Sequence, residues 1–283
     1  MKKRKLFCER GPLCYKISLL KEYILRDIKD FFSKEKFAKK KSDKKLPYIV
    51  KGHRSTIHRK LEGVDIKLQQ NKKTNLKIAG DKIDHIIIKP GETFSFWKIV
   101  GNTTKRRGYL EGLTISCGNI GKSIGGGLCQ LANLIHWLIL NSPLEVTELH
   151  HHSDAIFPDS NRRVPFGTGT SIFYKNVDYR FKNTSDQPVQ LLIWQENGEL
   201  MGELRSEKPF TYKYRIVEEN HHYSKEGNEY YRNSLIYRLV MNKDKEIIKK
   251  ELLLKNHSKV LYDYSLIPKD EIKDANTAWR QTV

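Results

Sequence analysis

Two stretches of the N-terminal half place apolar residues at helical spacing. The first, residues 15–32, carries Lys16, Lys21, Arg26 and Lys29 on its polar face. Its apolar stripe consists of Ile17, Leu20, Ile24, Ile28 and Phe31. The second stretch follows three glycines and ends near residues 141–143; its apolar positions are Leu128, Leu131, Ile135, Leu138 and Ile139. Recurrence every three to four residues predicts two amphipathic helices.

Further along the chain the pattern changes to short apolar or alternating runs, which predict strands. After an early buried strand at 86–88, the predicted strands are 171–174, 179–182, 189–194, 200–204, 212–217, 234–241 and 247–254. They are separated by polar turns at 183–186, 197–198, 225–228 and 242–244. Residues 47–84 have a mostly helical pattern. We therefore predict an α+β fold with an N-terminal helical region, a central glycine-rich loop plus helix, and a C-terminal antiparallel β meander.

The positive charge of the chain is concentrated at its N-terminus. Residues 1–60 carry 20 Lys and Arg against 6 Asp and Glu, whereas the other 223 residues carry 32 against 27. A nearly neutral body is not typical of a nucleic-acid-binding protein, and we expect no nucleic-acid partner. The charge pattern predicts two units: 1–46, a basic helix followed by a lysine-rich solvated linker, and 47–283, an α+β domain.

The basic N-terminal helix allows two interpretations. A helix with lysines on one face and apolar residues on the other can lie on an anionic bilayer, where each nearby lysine contributes about 1 kcal/mol. Alternatively, the helix packs on the body of the protein and its lysines face water. Of the two, packing on the body is the preferred interpretation, with a membrane-surface contact as the alternative.

Several features of the sequence bear on its compartment. No apolar run reaches the roughly 18 residues of a membrane span, and the basic start lacks the uninterrupted apolar segment of a signal peptide. Four cysteines (Cys8, Cys14, Cys117 and Cys129) are too few for a disulfide framework in 283 residues. We therefore expect a cytoplasmic protein with reduced thiols, located at the inner face of the membrane if the N-terminal helix contacts lipid.

The sequence GGGLCQ at 125–130 delivers Cys129 to the first turn of the second helix. Glycine is costly to order, so three in succession indicate a sharp bend or the close approach of another group. Unpaired N–H groups and the positive end of the helix dipole favour a thiolate at this position, as a nucleophile requires. The alternative is that Cys129 is a small buried hydrophobic residue.

A cysteine nucleophile requires a histidine within hydrogen-bonding distance. His136 lies seven residues further along the helix, about 10 Å along its axis, and is expected to pack instead. The segment ELHHHSD at 148–154 follows the helix and a proline, and can fold back beside the helix start. Any of its three histidines is a candidate base. We predict His152 as the general base, oriented by Asp154 or Asp159; the alternative is a polar surface loop.

Cofactor motifs are absent from the sequence. GKS at 121–123 lacks the glycine that a phosphate-binding loop needs five positions earlier, and there is no dinucleotide fingerprint, so we expect no cofactor. A zinc site formed by Cys117, Cys129 and the histidines is a weaker alternative without typical ligand spacing, and we assign no metal ligand. Arg162 and Arg163 have the chemistry to bind carboxylates or phosphates, with surface salt bridges as the alternative.

A series of motifs together resembles the VanW family, over roughly residues 61–264. In chain order the motifs are PGETFSF (90–96), GY (108–109), GGGLCQ (125–130), HS (152–153), FPDSNR (157–162), PFG (165–167), Asp178 and NT (183–184). The block that contains the glycines, the cysteine and the glutamine is the most specific of these. Two positions depart from the family pattern: Leu149 replaces an expected arginine, and Thr170 replaces an expected alanine. If that arginine binds an anionic substrate, Arg162 or Arg163 is expected to take its place.

The resemblance implies an accessory protein of glycopeptide-resistance gene clusters, which alter the D-Ala-D-Ala end of cell-wall precursors, but it implies no particular reaction. One hypothesis is a Cys/His-dependent enzyme that acts on a peptide or amide of an anionic peptidoglycan precursor. The N–H groups from Gly127 to Gln130 would then bind the oxyanion. The other is a non-catalytic binding or scaffold protein, in which Gly126 and Gly127 let the precursor or a partner approach the helix start.

Overall fold

The computed structural model describes residues 6–58, 66–116, 119–151, 154–156, 158 and 164–273. Within these ranges the α-helices are α1 (Pro12–Phe32), α2 (Ile66–Ile83), α3 (Phe96–Val100) and α4 (Cys129–Leu140). The strands are β1 (Lys36–Phe37), β2 (Tyr48–Thr56), β3 (Ile86–Ile88), β4 (Glu92–Ser95), β5 (Glu111–Ser116), β6 (Asn119–Ile124), β7 (Glu145–Glu148), β8 (Asp154–Ala155), β9 (Arg180–Lys182), β10 (Val189–Glu196), β11 (Glu199–Ser206), β12 (Lys213–Glu226), β13 (Glu229–Met241), β14 (Ile247–Val260) and β15 (Ile272–Lys273). The predicted α+β class is confirmed.

One sheet, of order β2-β11-β10-β3, has antiparallel neighbours throughout. Its β10–β11 hairpin turns at Asn197 and Gly198, whose φ angles are 48° and 77°. Two consecutive positive φ angles are typical of a tight hairpin turn, and the turn predicted here is confirmed. Strand β2 occupies residues predicted to be helical. That prediction was wrong because β2 pairs with the whole of β11, and such long-range pairing overrides local periodicity.

Helices α2 and α4 both pack on this sheet. A Cβ atom at Gly80 of α2 would come within 3.2 Å of the Ile193 side chain, and one at Gly202 would come within 2.8 Å of Leu134 of α4. These small residues therefore let the helices approach the strands closely. The core between them contains the buried side chains Leu76, Ile83, Leu131, Ile135, Leu138, Leu191 and Leu204.

The lysine-rich segment after α1 is not the solvated linker that the charge pattern predicts. Strand β1 pairs in parallel with β4, at the edge of a sheet of order β1-β4-β9-β7. The Ala38 N–H donates to the Thr93 carbonyl at 3.0 Å, and the Ile87 N–H donates to the Lys40 carbonyl at 2.8 Å. Backbone hydrogen bonds thus fix the segment on the body while most of its lysine side chains face solvent.

The C-terminal strands β12, β13 and β14 form the predicted antiparallel meander. Strands β15 and β8 extend it by parallel pairing, giving the order β15-β12-β13-β14-β8. Residues 171–174 are not the predicted strand: they contain only an isolated bridge between Phe173 and Val177. The hairpin β5–β6, which leads into the glycine bend, was not predicted.

Helix α1 contacts the body through its polar residues. The Arg26 guanidinium, on the predicted polar face, donates to both Glu148 carboxylate oxygens, at 2.6 and 2.7 Å. The Arg180 guanidinium binds Asp30 at 2.6 and 3.0 Å. All five residues of the predicted apolar stripe are 48–82% exposed. No helix of the described ranges is long and apolar enough to cross a membrane.

Candidate functional site

The bend at residues 125–127 has a geometry that only glycines accommodate well. Gly125 and Gly127 have φ angles of 80° and 93°, where a side chain is strained. Gly126 is buried against Gly112, and a Cβ at Gly126 would come within 2.2 Å of the Gly112 carbonyl. A Cβ at Gly127 would come within 2.3 Å of the Lys72 side chain. The close approach that these glycines permit is to other parts of the chain itself, and their substrate-binding role stays a prediction.

A buried asparagine of α2 holds this bend. The Asn75 amide nitrogen donates to the carbonyls of Gly126 and Leu110 at 2.9 and 3.0 Å, and its oxygen accepts from the Leu110 N–H at 2.8 Å. The three hydrogen bonds satisfy a side chain that has no exposed surface. Sequence reasoning missed Asn75 because its partners are remote in the chain and it belongs to no motif.

Gln130, predicted to bind substrate, contacts strand β2 instead of an open surface. Its amide nitrogen lies 2.9 Å from both the Ser55 hydroxyl and the Thr56 carbonyl. These hydrogen bonds join the first turn of α4 to the end of β2. They give Gln130 a structural role, and a contact with substrate remains a prediction.

Cys129 is the first residue of α4, as predicted, and it is half-buried. Burial raises the pKa of its thiol, and a backbone hydrogen bond from Ile172 opposes this shift without cancelling it. Loss of hydration disfavours the charged form, so the net shift of the pKa is upwards. The thiolate that the sequence predicts would require a lowered pKa. The N–H of Gln130, expected to bind an oxyanion, donates to the Gly127 carbonyl at 3.2 Å.

The described part of the histidine segment lies beside the start of α4, as the sequence predicts. The Ser171 N–H donates to the His150 carbonyl at 2.7 Å, and the next residue, Ile172, makes the backbone hydrogen bond to Cys129. The imidazole of His151 lies 3.2 Å from the Gly167 carbonyl. The segment therefore reaches the neighbourhood of the thiol.

The remaining predicted site residues fall partly outside the described ranges. His152, the predicted general base, lies outside them, as do Asp159, Arg162 and Arg163. Asp154 belongs to β8 and pairs in register with Lys259 of β14. The triad assignment of Asp154 with His152 therefore stays a prediction.

A zinc site requires several metal-binding side chains close together. Among the residues that the structure describes, no group of three or more His, Cys, Asp and Glu side chains is placed to hold a metal ion. Cys117 and His152, two members of the weaker zinc alternative, lie outside those residues. That alternative stays untested.

His136 packs in the core, as predicted. Its side chain is 1% exposed, and its Nδ1 lies 3.2 Å from the Tyr179 hydroxyl. Burial lowers the pKa of His136 to about 3, and the nearby His151 acts in the same direction. His136 is therefore a neutral imidazole at physiological pH.

A cavity of about 390 Å³ opens beside His136. It lies between the end of α4, strand β7, the histidine segment and the two meander strands β13 and β14. Its polar lining includes His136, Glu145, His151, Thr168 and Arg238. Its apolar lining consists mainly of Leu140, Leu144, Val146, Leu149, Ile236, Leu253 and Leu254. Such a volume, with apolar walls and a few polar groups, is typical of small-ligand sites.

Arg238 is a cation in the described lining of this cavity. Its Nε donates to the Glu251 carboxylate at 2.7 Å, and its guanidinium lies 5.4 Å from the centre of the Tyr214 ring. A planar guanidinium with five N–H donors suits the recognition of a carboxylate. Sequence reasoning missed the cavity because β13 and β14 come much later in the chain than α4, so no local pattern connects them.

The chain is similar in sequence to known proteins. A family model described as VanW like protein matches residues 71–205. The chain is 30% identical over 242 residues to the vancomycin B-type resistance protein VanW of Enterococcus faecalis, covering 85% of this chain and 87% of that protein. It is also 26% identical over 127 residues to the uncharacterized protein YoaR of Bacillus subtilis, covering 45% of this chain and 40% of that protein. No solved structure matches.

Proposed function

Because the chain belongs to the VanW family, we propose that it is an accessory protein of glycopeptide resistance that binds the peptide end of an anionic cell-wall precursor. The similarity to the resistance protein VanW, which spans most of both chains, supports the role in resistance. The single observation that supports binding is the cavity beside His136, with its apolar walls and its arginine.

The chemistry of a D-alanyl peptide fits this cavity. Such a peptide presents methyl groups, amides and a terminal carboxylate. The aliphatic wall that includes Val146 and Leu253 can bury the methyl groups, and Arg238 supplies a cation for the carboxylate. The excess of Lys and Arg, most of it in residues 1–60, also attracts an anionic precursor to the protein.

The second candidate function is the Cys/His-dependent enzyme, with Cys129 as nucleophile and His152 as general base. One observation favours it: the histidine segment runs beside Ile172, which makes a backbone hydrogen bond to Cys129. Two observations weigh against it. Burial raises the pKa of the thiol, and the Gln130 N–H is already used inside the turn. Binding is therefore the preferred function.

Calorimetric titration of the full chain with an acyl-L-Lys-D-Ala-D-Ala peptide tests the proposal, with the L-Ala-L-Ala peptide as the stereochemical control. Leu253→Trp fills the cavity, whereas Leu252→Trp places the same ring at a neighbouring position that is 54% exposed and does not line it. We expect the wild type and Leu252→Trp to bind the D-peptide and Leu253→Trp to lose binding. Equal binding by both variants, or no binding by the wild type, would contradict the proposal.

A further inference from the structure

Helix α1 carries an exposed apolar stripe along its whole length. The stripe consists of Leu13, Ile17, Leu20, Ile24, Ile28 and Phe31, which are 48–82% exposed. Their spacing of three or four residues places them on one side of the helix, over about 27 Å at 1.5 Å per residue. A contiguous apolar surface of this size is unusual on a soluble protein and marks an interaction site.

The opposite side of α1 is fixed to the body, so the helix cannot roll to bury this stripe. Arg26 binds Glu148 through two hydrogen bonds, and Asp30 binds Arg180 through two more. The Glu148 and Arg180 side chains are only 17% and 11% exposed, so water screens these ion pairs little. The stripe therefore faces away from the protein.

The charges around the stripe are mainly positive. Residues 6–32, which the structure describes, contain five Lys and Arg against four Asp and Glu. Arg26, Asp27 and Asp30 form ion pairs with Glu148, Lys175 and Arg180 of the body, which leaves four bases against two acids. Lys16 and Lys21 flank the stripe by helical position. Lys21 also contacts Glu22 at 3.0 Å, but this pair is exposed and therefore weak.

We propose that α1 docks the protein on an anionic lipid surface. The apolar stripe would enter the boundary between headgroups and acyl chains, and Lys16 and Lys21 would contact the anionic headgroups. The charge favours this occupant over a second copy of the chain, because two such helices packed together would bring their excess positive charges into proximity. The surface is separate from the cavity beside His136, so it extends the proposed function without depending on it.

Co-sedimentation of the full chain with vesicles tests this proposal. We expect binding to vesicles that contain phosphatidylglycerol, and weaker binding to pure phosphatidylcholine or in high salt. Leu20→Glu combined with Ile24→Glu should lower the partition coefficient more than about tenfold. The matched control is Ile247→Glu combined with Ile248→Glu, two residues of β14 that are 58% and 51% exposed; this variant should bind like the wild type.

A charge variant separates the lipid surface from other occupants. Lys16→Glu combined with Lys21→Glu should lower binding to the anionic vesicles by about tenfold or more and leave the weak binding to neutral vesicles unchanged. The proposal is overturned if the protein binds both vesicles equally, or if the stripe and control variants behave alike. It is also overturned if the protein ignores vesicles and instead forms a dimer that Leu20→Glu with Ile24→Glu dissociates.

Discussion

The backbone of Gly126 lies directly against the backbone of Gly112, so closely that a Cβ at Gly126 would come within 2.2 Å of the Gly112 carbonyl. The contact joins the hairpin β5–β6 to the start of α4. Asn75 strengthens it by binding the Gly126 carbonyl. The glycine bend therefore positions Cys129 by packing against the chain itself, and its first role is structural.

Gly126→Ala should destabilise the fold strongly. The added methyl group would overlap the Gly112 carbonyl, which is backbone and cannot rotate away, so we expect a loss of roughly 3 kcal/mol in the free energy of unfolding. Urea denaturation measures this loss. At Gly52 the nearest atom to an added Cβ is 4.0 Å away, and Gly52→Ala should change stability by less than about 1 kcal/mol. Equal losses in the two variants would show that the contact is unimportant.

The thiol of Cys129 should be protonated at neutral pH and should therefore be alkylated slowly, because only the thiolate is nucleophilic. Because burial raises its pKa, alkylation of a chain that keeps only Cys129 should have a midpoint above the free-thiol value of about 8.5. The rate of iodoacetamide modification against pH measures this midpoint. A midpoint below the free-thiol value would favour the enzyme over the binding protein.

Glu148 should contribute more to stability than an exposed ion pair does. Burial is the largest single influence and acts to raise the pKa of Glu148, but the hydrogen bonds and charge of Arg26, together with hydrogen bonds from His150 and the Asp178 N–H, outweigh it and keep the pKa low. Glu148→Gln leaves Arg26 without its carboxylate partner, and we expect a loss of about 3 kcal/mol together with faster hydrogen exchange in α1. Lys77→Met breaks the exposed pair with Asp81 and should cost less than about 1 kcal/mol. Unchanged exchange in α1 would mean that other contacts hold the helix.

His136 should make the fold less stable in acid. Its pKa is about 3 in the folded protein and about 6.5 in the unfolded chain. As pH falls from 6.5 towards 3, the unfolded state therefore takes up a proton that the folded state does not. The stability of the wild type relative to His136→Gln should fall by about 1.4 kcal/mol per pH unit in this range. Denaturation midpoints at several pH values measure it, and a constant difference would contradict a buried neutral imidazole.

The periodicity of apolar residues predicted some elements of the fold and missed those that depend on pairing with remote strands. Helix α4 and strands β10 and β11 were predicted close to their observed bounds, because their apolar residues recur with the period of the element. Strands β12 to β14 were predicted at 212–217, 234–241 and 247–254, and each extends well beyond the predicted residues. Strand β2 was missed because its pairing with the remote strand β11 determines its structure. Strand β1 was missed because its lysine-rich sequence is typical of a solvated segment, although backbone hydrogen bonds pair it with β4. The stripe of α1 was identified correctly, whereas its exposure depends on partners such as Glu148, over 100 positions away.

The candidate site was predictable only in part. The motif located Cys129 at the helix start, but the pKa of its thiol depends on burial and on a backbone hydrogen bond from the remote residue Ile172, which no spacing reveals. The cavity joins His136 to Arg238 and Leu253, residues that only the folded chain brings together. The sequence thus located the glycine-cysteine motif but did not predict the cavity beside His136.

The most direct test of the account is the vancomycin minimum inhibitory concentration of a resistant strain that lacks this gene and is complemented with Cys129→Ala or Leu253→Trp. With both variants folded and equally abundant, we expect Cys129→Ala to restore wild-type resistance and Leu253→Trp to resemble the deletion. The account is contradicted if Leu253→Trp restores resistance while Cys129→Ala does not, or if the deletion leaves resistance unchanged.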